Sequence, residues 1–186
     1  MSVIGQHKRN LALVPYHEEW PTLFQEAAEQ LRAALGPKAL AIEHIGSTSI
    51  PGMKAKPIID MMIAVSSLSE ALSLVPIIET LGYTYKPYDT IPARIYFSKE
   101  SAPEWRTHHL NLAVPGSDFW QNQLAFRDYL RSHSDLAAKY IELKERIAAD
   151  HLRTGELDLE AKTPFVTKVL ELARIQGVKI QETSAP

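Results

Sequence analysis

The chain has 186 residues, of which 45% are hydrophobic and 23% charged, values that are typical of a globular domain and exclude wholesale disorder. The formal net charge of −2 argues against nucleic-acid binding, and the lack of cysteine excludes disulfides and thiolate metal sites. No run of about 20 apolar residues is long enough to cross a membrane. We therefore expect one cytoplasmic domain over residues 1–186, with no nucleic-acid or membrane partner.

The first third of the chain predicts one helix followed by two strands. Apolar residues recur at helical spacing from Pro21 to Leu35, and Gly36 with Pro37 ends that helix. The segment ALAIEHI alternates, whereas PIIDMMIAV is the continuous apolar run of a strand buried on both faces. The turn GSTSIPGMKAK connects these two strands.

The middle of the chain predicts a further helix and more strands. SSLSEALSLVPIIETLGY has one apolar helical face, with a kink or a boundary at Pro76 and a C-terminal cap at Gly82. ARIYFSKE and THHLNLAV show the period of two that is typical of strands, and YTYKP is a weaker candidate. The sheet should therefore have four or five strands.

Helical patterns dominate after Ser117. Three segments each begin with a Ser or Thr that can cap a helix: SDFWQNQLAFRDYLRSH, SDLAAKYIELKERIAADH and TPFVTKVLELARIQG. Residues 178–186 carry few packing anchors, so we expect a flexible tail there. The whole pattern predicts an α/β (α+β) fold, with a small sheet and a helical C-terminal half.

The turn after the first strand is a candidate phosphate site. Gly46, Ser47, Thr48 and Ser49 offer closely spaced backbone N–H groups and three hydroxyls, all of which can donate to phosphate oxygens. The alternative is an ordinary turn, because Gly and Ser are common turn residues.

Asp60 is the main candidate for a functional carboxylate, since an ionisable side chain within PIIDMMIAV is costly to bury unless it is paired or binds a cation. In the alternative interpretation, it pairs with Lys56 or an arginine and ties the sheet to the loop. His44 and Lys56 flank the turn, and either can donate to a phosphate or orient Asp60. Arg94 and Arg106 lie near strand ends, where they are anion-binding candidates or surface residues.

The strand THHLNLAV carries a second group of polar candidates. His108 and His109 point to opposite faces of the strand, so only His109 shares a face with Asn111. Together with Asp60, these two residues could hold a transition metal or form a hydrogen-bonding wall for a ligand. The alternative is the polar outer face of an edge strand.

A strand, a Gly-Ser turn, roughly a dozen residues and an acid on a second strand resemble the pattern of the nucleotidyltransferase superfamily. More closely, HIGSTSIPGMKAKPIID resembles the GrpB family, and LVPYHEEW, THHLNLAV, FRDYLRSH and KYIELKERIA follow the order of that family. The resemblance implies a nucleotidyltransferase-like fold in which helices flank a mixed β-sheet.

The resemblance also implies roles for individual residues. In catalytic nucleotidyltransferases the Gly-Ser turn, here Gly46 and Ser47, binds a triphosphate, and an Asp-x-Asp pair with a third acid holds two divalent cations. Asp60 matches the first acid, whereas Met62 stands at the second position, where a thioether is a poor ligand for Mg²⁺. THHLNLAV supplies no third carboxylate, unless Glu104 or Asp118 reaches in from a neighbouring loop.

Three residues of the helical half match recurrent positions of the GrpB pattern. Arg127, Tyr140 and Lys144 could close a polar pocket over the sheet, with Tyr140 and Lys144 one helical turn apart. Surface scaffolding is the alternative for each. Base stacking is a further option for the tryptophans, which are more often core residues: Trp20, Trp105 and Trp120.

Three hypotheses for the function follow. The first is a nucleotidyltransferase that uses Mg²⁺ or Mn²⁺ held by Asp60, with Lys56 as its second catalytic residue. The second is a binding module for a nucleotide, a CoA-like phosphate or another small anion, which the missing acids favour. The third is an enzyme of other chemistry, in which Asp60, His109 and Asn111 handle a proton or an unusual metal.

Overall fold

The computed structural model describes residues 3–7, 12–88, 91–154 and 160–177, so the expected flexible tail at 178–186 lies outside the described residues. The strands are β1 Gln6–His7, β2 Ala41–Ile45, β3 Ile59–Ala64, β4 Tyr83–Tyr85, β5 Ile95–Ala102 and β6 Trp105–Ala113. The helices are α1 Trp20–Leu35, α2 Leu68–Ser73, α3 Val75–Thr80, α4 Asp118–Ser132, α5 Ser134–Thr154 and α6 Thr163–Ile175. Short 3-10 turns cover Gly36–Lys38, Ser47–Ser49 and Glu160–Lys162.

The six strands form one mixed sheet in the order β2-β3-β6-β5-β4, with β1 paired to β6. Within the described chain, only β3 and β6 pair in parallel, and the other strand pairs are antiparallel. The expected mixed α/β architecture is confirmed, and the weak candidate YTYKP contains strand β4. Because β6 lies between β3 and β5, the polar residues of THHLNLAV belong to a central strand rather than to an edge strand.

Alternate residues of the central strands pack in two separate cores. Met61 and Ile63 of β3 face the helix α1, where Trp20, Phe24 and Leu31 are buried. Met62 and Ala64 face the other way, against Trp120 and Leu124 of α4. A third cluster joins α4, α5 and α6 to the loop that follows β2, through Ile50 and Met53. The helical half is thereby fixed over the turn after β2.

The helix expected from residues 68 to 81 is in fact two helices. Helix α2 ends at Ser73 and α3 begins at Val75, with Leu74 between them. Pro76 lacks a backbone N–H and clashes with the preceding turn of a helix, so it is tolerated only in the first turn of a new one. Among the described residues, no helix combines the length and the apolar character needed to cross a membrane.

Candidate functional site

The turn after β2 is built around Gly46. Its φ of 68° lies in the region that favours glycine, and a β-carbon there would lie 2.8 Å from the Cβ of Asp60 and closer still to its carboxylate. The backbone therefore approaches Asp60 as no other residue type would allow. The next three residues form a 3-10 turn in which Ser49 donates to the Gly46 carbonyl over 2.6 Å.

His44, near the end of β2, contacts this turn through its side chain. Its ring stacks on Phe24, with 4.7 Å between ring centroids, and its Nε2 lies 3.0 Å from the Thr48 hydroxyl, which in turn donates to the Ile58 carbonyl. Burial lowers the pKa of His44 to about 4, so the ring is neutral at neutral pH. His44 thus orients the turn, and it lines neither of the cavities described below.

Asp60 and His109 are paired across the two parallel strands. Their Cα atoms are partners in the register of β3 and β6, and His109 Nδ1 lies 2.9 Å from Asp60 Oδ1. A carboxylate oxygen accepts, so Nδ1–H donates and a neutral ring keeps Nε2 as an acceptor. That Nε2 is buried and has no hydrogen-bond partner among the described residues. Asp60 is therefore paired with a histidine, and not with Lys56 or an arginine.

A first cavity, of about 260 Å³, opens beside this pair. Among the described residues its lining includes eight residues that the sequence singled out: Gly46, Ser47, Thr48, Lys56, Asp60, His109, Tyr140 and Lys144. Lys162, from the 3-10 turn before α6, adds a third lysine. The floor comes from β3 and the Gly46 turn, whereas the wall comes from α5.

Lys144 is the most strongly perturbed lysine of this cavity. Its ammonium donates to Ser47 Oγ over 3.2 Å and to the Lys54 carbonyl, and it lies 4.9 Å from the centroid of the Tyr140 ring. Burial, and then the charge of Lys162, lowers the pKa of Lys144 to about 7. Burial also lowers the pKa values of Lys56 and Lys162.

A second and wider cavity, of about 650 Å³, lies on the other side of the Asp60–His109 pair. Three more predicted residues line it, namely Arg94, Arg106 and Asn111. Arg94 Nη1 donates to Asn111 Oδ1 over 2.5 Å, and its guanidinium lies 4.7 Å from the Tyr96 ring centroid. Asp60 and His109 line both cavities and so form the wall between them.

Arg127 lies apart from both cavities. Its guanidinium donates to Glu43 over 2.7 Å, to the His44 carbonyl over 2.9 Å and to its neighbour Asp128 over 2.6 Å. Arg127 consequently joins α4 to β2. None of the tryptophans lines either cavity among the described residues: Trp20 and Trp120 are core residues, and Trp105 packs against Gly5.

The donors of this site do not fit a resident two-metal centre. Met62 is fully buried against Trp120, and neither Glu104 nor Asp118 lines a cavity. Within the described ranges, no three His, Asp or Glu side chains are placed to share a cation. Asp60 is the one carboxylate among the described residues of either lining, and it already accepts from His109.

Sequence reasoning missed several lining residues. Lys162 precedes a helix and belongs to no motif, so only the packing of α6 shows where it lies. Aromatic residues of the second cavity come from β4, β5 and the segment between them, and no short-range pattern relates them to Asp60: Tyr85, Tyr88 and Tyr96. Lys86 also lines the second cavity. It directly follows the candidate strand YTY, and a basic residue at a strand end is a signal that could have identified it.

Comparisons with known proteins agree with this architecture. The family model described as "GrpB protein" matches residues 10–172. The protein YqkA of Bacillus subtilis is 38% identical over 167 residues, which cover 90% of this chain but only 48% of YqkA, so the chain spans about half the length of that relative.

Solved structures extend the comparison. The conserved protein GrpB from Enterococcus faecalis aligns with a TM-score of 0.80 at 31% identity, over 90% of this chain and all of its own (100%). The Cid1 poly(U) polymerase, solved with MgGTP bound, is 14% identical, with a TM-score of 0.49 over 68% of this chain and 42% of its own. The family resemblance found in the sequence is confirmed, and the chain belongs to the GrpB family.

Proposed function

We propose that the first cavity binds the phosphate groups of a small molecule, a nucleotide or a CoA-like compound. One observation carries the proposal: three lysines and the Gly46 turn line one cavity, and Asp60 is its only acid among the described residues. Three ammonium groups facing one carboxylate leave an excess of positive charge, which an anion with several oxygens would neutralise.

The state of these lysines supports the proposal. Lys162 lowers the pKa values of both Lys56 and Lys144 through repulsion, in addition to the effect of burial. Within the described part of the chain, the ammonium groups of Lys56 and Lys162 make neither a hydrogen bond nor an ion pair. A bound anion would relieve the repulsion and supply the missing partners, so binding would raise the pKa values of all three groups.

The Gly46 turn adds donors without charge. Ser47 Oγ already accepts from Lys144, so its own proton remains for a ligand oxygen. Three lysines and this turn together line the cavity with more donors than one phosphate needs, which suits a chain of two or three phosphates better than a single one. Mg²⁺ or Mn²⁺ would enter together with those phosphates, since one carboxylate with substrate phosphates is a usual Mg²⁺ environment.

Nucleotidyl transfer is the second candidate, and the placement of Asp60 and His109 between two cavities favours it. An acceptor hydroxyl in the second cavity would form a bond to the α-phosphorus, pyrophosphate would leave, and the hydroxyl proton would pass to the Asp60–His109 pair. Incubation with ATP labelled at the α-phosphate tests this step. We expect the wild type to release pyrophosphate and to carry label into a product other than AMP or ADP, and Asp60→Asn to do neither.

A thermal-shift screen tests the binding proposal. We expect pyrophosphate, ATP or coenzyme A to raise the melting temperature, because a ligand that binds only the folded state stabilises it. The shift should fall for Lys162→Met and stay at the wild-type value for Lys168→Met, a matched change on the exposed side of α6. Equal shifts in both variants, or no shift with any of these anions, would overturn the proposal.

The same screen addresses the metal. Adding Mg²⁺ or Mn²⁺ should increase the shift produced by ATP in the wild type and leave it unchanged in Asp60→Ala. An identical metal effect in Asp60→Ala would show that Asp60 holds no cation, while the phosphate proposal would stand on the lysine variants alone.

A further inference from the structure

Strand β6 contains one residue too many for its partner β5. Lys99 pairs with His108, whereas the next residue, Glu100, pairs with Arg106, so Thr107 is the extra residue of a β-bulge. The hydroxyl of Thr107 lies 2.9 Å from His108 Nδ1, which fits two adjacent side chains on the same side of the sheet. Bulges of this kind redirect the side chains that follow or precede them.

The bulge changes which face Arg106 occupies. In a regular strand, Arg106 and His109 would point to opposite faces, because they are three residues apart. Because the side chains of Thr107 and His108 lie on the same side of the sheet, the side chain of Arg106 lies on the same face as that of His109. The cavity agrees with this assignment, since both residues line the second cavity.

Arg106 lines that cavity, and one of its N–H donors is buried and not hydrogen-bonded within the described part of the chain. Its Nε is buried and has no hydrogen-bond partner within the described part of the chain, and Glu100 Oε1 lies 3.9 Å away. Glu100 meanwhile accepts a hydrogen bond from the Glu104 amide over 3.1 Å through its other oxygen. The guanidinium that carries this Nε lines the second cavity, and 31% of the side chain is exposed, so its other N–H groups are the donors that a ligand oxygen would meet.

The remaining walls of the second cavity define the rest of a ligand. Lys86 and Arg94 add two positive charges to that of Arg106, whereas Asp60 is its only acid among the described residues. Rings face the same space from three tyrosines of β4, β5 and the segment after β4: Tyr85, Tyr88 and Tyr96. Cationic groups with aromatic walls suit a ring that carries an anionic group.

We propose that the second cavity binds a second small molecule, an aromatic ring bearing a phosphate or a carboxylate, with Arg106 as the group that holds its anionic end. This site is separate from the phosphate site of the first cavity and goes beyond the function proposed there. Among the described residues, the linings of the two cavities share Asp60 and His109 and no others.

Titration calorimetry with phenyl phosphate and with benzoate tests the proposal and separates the two anionic groups. We expect at least one of them to bind the wild type, and its dissociation constant to rise about tenfold or more in Arg106→Gln, as loss of a charged hydrogen bond predicts. Arg32→Gln, the same change on the exposed side of α1, should bind like the wild type. Phenol, which has the ring alone, should bind much more weakly.

Two variants distinguish binding in the second cavity from binding in the first. Lys144→Met should leave binding of the phenyl probe unchanged, while Arg106→Gln should leave binding of pyrophosphate unchanged. Intermolecular NOEs from the ring protons of the probe to Tyr96 in the wild type measure binding in the second cavity independently. They test the proposal even if Arg106→Gln fails to fold. Equal affinity in Arg106→Gln and the wild type, or NOEs to other surfaces only, would overturn the proposal.

Discussion

Gly46 is the residue on which the geometry of the site depends most directly. Replacing it with alanine would force a side chain into the φ region near 68° and against Asp60. We expect Gly46→Ala to lose about 3 kcal/mol or more in the free energy of unfolding, measured by urea denaturation. Gly52 has a φ of 75° and nothing within 4 Å of an added β-carbon, so Gly52→Ala isolates the backbone strain alone. Equal losses in both variants would contradict the close approach to Asp60.

Lys144 makes anion binding dependent on pH near neutrality. Its pKa of about 7 means that the ammonium is mostly charged at about pH 6 and mostly neutral at about pH 8. We expect the affinity for sulfate, whose own charge is constant over this range, to fall as the pH rises from 6 to 8. Calorimetric titrations at several pH values measure this trend, and Lys144→Met should flatten it. A flat profile in the wild type would show that Lys144 does not contact the anion.

Met62 shows why an acid is absent where the superfamily pattern expects one. The side chain is fully buried against Trp120 and Leu124, so a carboxylate there would lose its hydration without gaining a partner. We expect Met62→Asp to lower the free energy of unfolding by about 3–5 kcal/mol and to gain no Mg²⁺ affinity. Met62→Leu, which keeps the volume, should cost less than about 1.5 kcal/mol. A stable Met62→Asp protein that binds Mg²⁺ would show that the position can serve a metal.

Among the elements, α4 is attached to the sheet by Arg127. The guanidinium contacts both Glu43 and the His44 carbonyl of β2, and only 11% of its side chain is exposed. We expect Arg127→Met to lower the free energy of unfolding by about 2 kcal/mol, because Glu43 would lose its charged partner. The exposed Arg32→Met should change it by less than about 0.5 kcal/mol. An equal, small effect in both variants would show that this contact does not stabilise the attachment of α4.

Element by element, the structure follows local patterns where these were strong. The strand containing Asp60 and the three helices after Ser117 follow directly from apolar runs and helical periodicity. Ser117 caps α4 as expected, whereas Thr163 is the first residue of α6 and not its cap, which is Lys162 without a side-chain cap hydrogen bond. Pro76 predicts either a kink or a helix boundary, and the structure has a boundary there. The two-residue strand β1 was not predicted, because its short segment shows no periodicity and forms only through pairing with β6.

Over the whole molecule, the sequence predicts the centre of the candidate site better than its walls. Gly46, Asp60 and His109 could be assigned because Asp60 and His109 lie on neighbouring strands and Gly46 directly follows the strand beside Asp60. Lys162 and the tyrosines reach the two cavities through packing between distant segments, which no periodicity encodes. His44 and Arg127 were expected at a ligand, yet their contacts hold the turn and α4 in place.

Isothermal titration of pyrophosphate shows whether the first cavity, with its three lysines, binds phosphate. The wild type should bind, and the double variant Lys56→Met/Lys144→Met should bind at least about tenfold more weakly, because it loses two charged donors. Lys54→Met, in which the changed side chain pairs with Glu145 on the surface, should bind like the wild type. Absence of binding to the wild type, or equal affinity in the double variant, would show that the first cavity is not a phosphate site.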